Sequence, residues 1–478
     1  MNYSDFDAKQ IIAGIAKDDF TSTEVAESLI KQAEKWSNTN ALINFDFNQF
    51  LKSSREADKK RQEGKPVGPL HGLPLVVKDN IDVVGFATTA STPALKGYTP
   101  TKQGPVIEAL KNAGAIIMAK TNLHELAFSP AISEPADGSP VRWGAYDSAK
   151  NPYNLEYSTA GSSSGTGAAI SARIAPVGLG TDTGGSVRNP AAWCGITGLR
   201  PSTKRYSQVG VVPLSWTRDT IGPMARHVGD LALLAGVITG EGTIEAAEIR
   251  GLKLGIDWKF YCADCNPDVL QIFEKEVGRL SAAGAEIIDV TIEKLEEYIS
   301  ELGPTLTTYE VVRGLPKYLA ESGINIEFKD LISQITATGM GRRMEELLTV
   351  DATSEDVYKH AISDIRPAIQ MSYADVFSKY NIDALIFPSS LLPPNKVCEL
   401  GTASIRGRDI SYLLASSHNV QPASIGGSPG LTVAAGLTKS GLPAAIGFDG
   451  PVGSDRNLLA IGLAYDEIKP DLPKPVLT

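Results

Sequence analysis

Between residues 158 and 201 the chain reads STAGSSSGTGAAISARIAPVGLGTDTGGSVRNPAAWCGITGLRP. Small residues at this density are costly to order, so they mark places where the backbone turns sharply or approaches a ligand closely. Phosphate binding is the first chemistry such turns could do, and the spacing rejects it. No turn supplies the Lys of GxxxxGK[ST], and Gly165-Thr166-Gly167 runs on into Ala168, Ala169 and Ile170 without a third glycine. Serine nucleophile chemistry is the second. Gly161-Ser162-Ser163-Ser164-Gly165 fits G-x-S-x-G, the elbow of a hydrolase that would use Ser163. That elbow needs an apolar strand directly before it, whereas Asn154 to Thr159 is mostly polar, and no His-Gly-Gly-Gly segment lies upstream. Of His71, His124, His227, His360 and His418, only the last three lie downstream of Ser163, and none has a distinctive triad context.

A serine can also be activated by a neutral lysine. Lys78 is the candidate, because it follows the apolar run Leu75-Val76-Val77 and its stem would be held at a sheet end, where desolvation disfavours the ammonium. Bringing a lysine from about 10.4 towards 7 takes roughly 4 to 5 kcal/mol, which burial can supply. Metal or redox chemistry has one weak pointer, Cys262-Ala-Asp-Cys265. No second pair follows it, and Cys194 and Cys398 complete the set, so we read ordinary thiols, no metal and no cofactor.

Such side chains need elements to position them. Thr21-Ser22-Thr23-Glu24 is a capping box that opens a helix over 21–36, with Val25, Leu29, Ile30 and Ala33 on one face. Leu73 to Val77 reads as a short buried strand, and the stripe Val106, Ile107, Leu110 as a helix ended by Gly114 before a strand over 115–119. The same grammar returns in the helix 269–280, Gly284 and the strand 287–290, and in a strand at 384–387. This alternation predicts an α/β fold, with a mixed sheet covered by helices in an α/β/α layering. Residues 244–375, with runs such as Glu293 to Glu297 and Arg342 to Glu346, read as a helical insertion or an elaborated flank of one domain spanning 1–478. Pro130, Pro135, Gly138 and Pro140 mark 128–153 as a loop expected to border a pocket mouth.

The 478 residues carry 45 Lys and Arg against 55 Asp and Glu, a net charge of -10, which is the wrong sign for a nucleic-acid surface. The first twenty residues hold Asp5, Asp7, Lys9 and Lys17 and no apolar signal region, and no apolar run approaches the roughly 20 residues of a membrane helix. Four cysteines are too few for a disulfide scaffold. The expectation is a cytoplasmic protein acting on a small molecule, without nucleic-acid or membrane partners, and with a homodimer left open.

His71-Gly-Leu-Pro-Leu-Val-Val-Lys78-Asp-Asn80, the Gly161-Ser162-Ser163 turn and Gly180-Thr-Asp-Thr-Gly-Gly-Ser186-Val-Arg188 occur in that order, and together they resemble the amidase signature family. The segments 205–213 and 217–226 are similar to its indoleacetamide and mandelamide hydrolase branch. The resemblance implies the amidase signature fold and hydrolysis of a small amide, of aryl or arylacetamide type, through an acyl-enzyme. It makes Ser186 the nucleophile, Ser162 the bridging serine on a cis peptide and Lys78 the base. The backbone N–H groups of Thr183, Gly184, Gly185 and Ser186 would form the oxyanion hole. Asp182 and Arg188 flank that turn, and we read them as a supporting pair, the alternative being that Arg188 faces a substrate carboxylate. Ala160 and Ser164 stand where the family usually has glycine, and Trp216 where that branch commonly has histidine. Competing readings are the glutaminase-like subunit of a tRNA-dependent amidotransferase, an esterase using Ser163, and a binding protein that keeps only the fold.

Overall fold

A computed structural model describes residues 2–128, 141–349, 353–397, 401–405 and 408–477. The strands in chain order are Leu42–Phe45 (β1), Pro74–Lys78 (β2), Ile116–Thr121 (β3), Lys150–Asn151 (β4), Asn154–Ser158 (β5), Val177–Asp182 (β6), Thr197–Arg200 (β7), Thr220–Ala225 (β8), Lys253–Ile256 (β9), Glu286–Asp289 (β10), Ala384–Pro388 (β11), Thr402–Ile405 (β12), Arg408–Ser411 (β13), Gly430–Leu437 (β14) and Pro443–Asp449 (β15). Eleven of them form one sheet in the order β1-β3-β2-β6-β8-β7-β14-β15-β11-β9-β10, and β4/β5 and β12/β13 are separate pairs. The sheet is mixed, as alternation predicts. β2 runs parallel to β3 and β6, and β9 to β10 and β11, while β8, β7, β14 and β15 pair antiparallel.

Local signals set the elements that the sequence marks. Thr21 caps the helix Ser22–Lys35 through Glu24 N, and the Glu24 carboxylate accepts from Thr21 N, closing the box from both sides. Gly114, at φ +97, ends the helix Pro105–Asn112 and leads into β3. β2 is buried at every position and runs one residue beyond the apolar run, so Lys78 is its last residue. Within 244–375, β9 and β10 join the main sheet, and from Leu295 onward the described elements are helices, beginning with Leu295–Glu321.

The serine-rich stretch forms a layer pressed against the sheet. The helix Ser164–Ser171 lies so close to the residues flanking β1 and β3 that a Cβ on Gly165 would stand 2.4 Å from Ala41 O and Asn122 N. Likewise a Cβ on Gly178 would meet Val76 Cγ2 at 2.8 Å. These two glycines answer to close approach of protein to protein rather than to a ligand. Pro130, Pro135, Gly138 and Pro140 of the expected mouth loop, and Cys398, lie outside the described residues. Of that loop, Arg142 N donates to Thr338 Oγ1 at 2.8 Å and Thr338 N to Arg142 O at 2.9 Å, which ties it to the helical segment.

Candidate active site

Parallel pairing of β2 with β6, with Val77 beside Leu179, brings both strands' carboxyl ends to one edge of the sheet. Lys78 and Thr181 therefore stand together where the chain leaves the sheet, the usual place for a site in an α/β protein. Lys78 is fully buried, and its Nζ donates to Ser162 Oγ at 2.8 Å and to Thr181 Oγ1 at 2.7 Å. Asn80 Nδ2 donates to the same Thr181 hydroxyl at 3.1 Å. Burial pulls the Lys78 ammonium down to about 7, against the opposing attraction of Asp182 and Asp219. The site thus holds a lysine able to be neutral near physiological pH, in contact with a serine hydroxyl.

Ser162 and not Ser163 is the serine that Lys78 meets. The Gly161–Ser162 peptide is cis, and Ala160 before it stands at φ +56, in the region a glycine would enter without strain. Ser163 turns the other way. Its hydroxyl is buried against β6, accepting from Thr181 N and donating to Thr181 O, both at 3.3 Å. β5 precedes the turn as part of its own small pair outside the main sheet, so the strand that a Ser163 elbow requires is not there. The later histidines point to other partners: His227 to Asp466, His360 to Asp364, and His418 to Asn419 and Glu296.

Ser163 N donates to Ser186 O at 3.1 Å, which places the 180–188 turn directly against the serine turn. Ser186 itself is half-buried. Asp182 organises its turn from inside. It accepts Gly185 N at 2.9 Å, Val187 N at 3.3 Å, Arg188 Nε at 3.1 Å and Arg200 Nη1 at 3.1 Å. Burial alone would raise the carboxyl, and the two guanidinium groups overcome it and hold Asp182 well below the usual carboxylate range. Arg188 is therefore paired with Asp182, and it also donates to Ser424 Oγ at 2.7 Å. Of the four N–H groups expected to form the oxyanion hole, that of Gly185 donates to Asp182 Oδ1 in this structure.

Thr181, His124 and Asp219 also border the site, although residue type and spacing give them no role in advance. His124 stacks on Trp143 with ring centroids 4.4 Å apart, its backbone N–H donates to Ser162 O at 3.2 Å, and a Cβ on Gly161 would meet its ring at 2.2 Å. Burial, then the Lys78 charge, lowers its imidazole to about 3. Asp219 accepts Thr183 Oγ1 at 2.5 Å and the N–H groups of Leu214 and Ser215 at 2.9 Å, and burial lifts it to about 6. A strand-end threonine beside an apolar-strand lysine is the only local signal for Thr181; the other two contacts depend on packing. Cys194, Cys262 and Cys265 are buried and not disulfide-bonded, and among the described residues no group of three or more His, Cys, Asp or Glu could hold a metal ion. Among those residues, too, no helix is long and apolar enough to cross a membrane.

The chain is similar to known proteins along nearly its whole length. The family model described as Amidase matches residues 24–459. The chain is 34% identical to mandelamide hydrolase of Pseudomonas putida, over 95% of this chain and 90% of that protein. It is 32% identical to indoleacetamide hydrolase of Agrobacterium vitis, over 96% of both. It is 31% identical to a glutamyl-tRNA(Gln) amidotransferase subunit of Zymomonas mobilis, over 95% of both. Among solved structures, the native peptide amidase of Stenotrophomonas maltophilia superposes with a TM-score of 0.83 at 27% identity, over 99% of both chains.

Proposed function

The chain belongs to the amidase family, and from that premise we propose that it hydrolyses a small aryl or arylacetamide-type amide through a relay of Lys78, Ser162 and Ser186. The observation that carries the relay is the buried Lys78 Nζ at 2.8 Å from Ser162 Oγ, with its ammonium lowered to about 7. Neutral Lys78 takes the Ser162 proton as Ser162 takes that of Ser186, and Ser186 Oγ attacks the amide carbon. The N–H groups of Thr183, Gly184 and Ser186 receive the negative charge on the carbonyl oxygen. The proton returns through Ser162 to the leaving nitrogen, the C–N bond breaks, and an ester on Ser186 remains. Water, deprotonated by the same relay, cleaves that ester and releases the carboxylic acid. The aryl acyl group is supported by the mandelamide and indoleacetamide hydrolase relatives.

Reaction with a fluorophosphonate followed by peptide mass spectrometry should place the label on Ser186. A label on Ser163 that disappears in Ser163→Ala would overturn the relay. A second reading follows from the similarity to the tRNA-dependent amidotransferase: the same site releasing ammonia for a partner. Steady amide hydrolysis by the purified chain alone separates the two, because the partner-dependent reading requires little activity in isolation. We also read the chain as a single domain, since strands from Leu42 to Asp449 share one sheet.

A further inference from the structure

The peptide joining Gly184 to Gly185 is gripped from both sides. Its N–H donates to Asp182 Oδ1 at 2.9 Å, and its carbonyl accepts from Gln421 Nε2 at 3.3 Å. The Gln421 amide is itself oriented, because Arg218 Nη2 donates to its Oε1 at 2.9 Å. Arginine has donors only and a backbone carbonyl only accepts, so the reverse amide orientation would face donor with donor and acceptor with acceptor. Arg218 is buried, and its Nη1 is anchored to Gly303 O at 3.1 Å and Thr307 Oγ1 at 3.0 Å on the helix Leu295–Glu321. Gly184 leaves room for this arrangement. A Cβ there would stand 3.0 Å from Gln421 Nε2 and 3.1 Å from Arg218 Nη2, tight enough to push either away.

We propose that Gln421, oriented by Arg218, is a positioning residue that sets the plane of the Gly184–Gly185 peptide and thereby aims the neighbouring N–H groups of Gly184 and Ser186 at the developing oxyanion. The inference rests on the relay reading and extends it, since it assigns a role to residues outside the serine and lysine motifs. Peptide planes on either side of a fixed one lose most of their freedom, and an oxyanion hole works by donors aligned before the charge appears. Gln421 gains nothing from the ground-state amide in this scheme, so its loss should fall on the chemical step.

Two variants separate this role from a structural one. Gln421→Glu still accepts from Arg218, now as an ion pair, but has no proton to give the Gly184 carbonyl. Gln421→Met keeps the volume and has neither function. Direct loss of an oxyanion donor lowers kcat by about a hundredfold to a thousandfold, and loss of a residue that only aims the donors should lower it less, by about tenfold. The measurement is kcat and KM on one primary arylacetamide, thermal melting, inhibition by the matching boronic acid, and fluorophosphonate labelling, for wild type and both variants. Both variants should lose about tenfold in kcat with KM within about twofold, and boronate binding should weaken in parallel. Gln421→Glu should melt no lower than wild type. Wild-type kcat in Gln421→Met or Gln421→Glu, with Ser186 labelled, would overturn the brace and leave the relay standing. A kcat loss matched by an equal rise in KM would overturn it too. Labelling of wild type at a residue other than Ser186 would bring down the relay and the brace together.

Discussion

Lys78 sits among hydroxyl groups at a buried strand end, and this environment makes its protonation state the control point of the proposed chemistry. With the ammonium lowered to about 7, kcat/KM should rise with pH through about 7 and level off above it, since only the neutral amine accepts a proton. Lys78→Ala and Lys78→Arg should both lose several orders of magnitude in kcat, because guanidinium stays charged. An arginine variant with more than about a tenth of wild-type activity would make Lys78 a structural cation. The same shift has a stability sign. The unfolded chain keeps this proton up to 10.5, and the folded chain gives it up near 7. The folded state is therefore penalised most below pH 7, and the penalty fades as pH rises towards 10.5. Unfolding free energies of wild type minus Lys78→Met, measured by urea denaturation across that window, should climb with pH by up to roughly 4 to 5 kcal/mol.

At the scale of elements, two buried carboxylates hold the parts of the site in place. Asp182 ties the β6 turn to Arg188 and Arg200, all three side chains being buried. Asp182→Asn would leave two buried guanidinium groups without their carboxylate, and the expected loss in urea denaturation is about 3 to 5 kcal/mol. Glu125 does the corresponding work between the core and the helical segment. Its Oε2 accepts Thr336 N at 2.9 Å, Thr336 Oγ1 at 3.0 Å and Ala337 N at 2.7 Å, between the helices Phe328–Ile332 and Met340–Thr349. Glu125→Ala should release that loop, with faster hydrogen exchange over 328–349 and a stability loss of about 1 to 3 kcal/mol. Unchanged exchange there would mean that apolar packing alone holds these helices.

At the scale of the whole molecule, the proposed relay draws on β2, the serine turn and the turn after β6, and calls on no histidine or metal. Chelator treatment and His418→Ala should each leave most of the activity, and a thousandfold fall in a folded protein would remove the relay. A panel of primary amides, anilides, carbamates and esters, assayed without any partner, should show the fastest turnover on aryl or arylacetamide-type amides. Equal rates on amides without an aromatic ring would remove that preference and keep the amidase.

Short-range physics was readable directly from the residues. The Thr21 and Glu24 capping box, the glycine stop at 114 and the buried β2 ending in Lys78 all depend on neighbours within a few positions, and they appear where residue type places them. The three motifs were likewise enough to identify the family, and they name Lys78, Ser162 and Ser186 as the residues that the proposed relay would use. What only the tertiary structure decided is how distant groups meet. Lys78 reaches Thr181 across 103 residues because β2 and β6 pair in parallel, and it reaches Ser162 across 84 because Ser163 seats the serine turn on β6. Gly185 gives its N–H to Asp182 because two buried arginines fix that carboxylate in the turn. Arg218 meets Gln421 across 203 residues through the packing of a helical segment whose sequence carries no catalytic motif. Strand pairing and side-chain packing are set by the sum of many weak contacts over the whole chain, and no local window of sequence contains that sum.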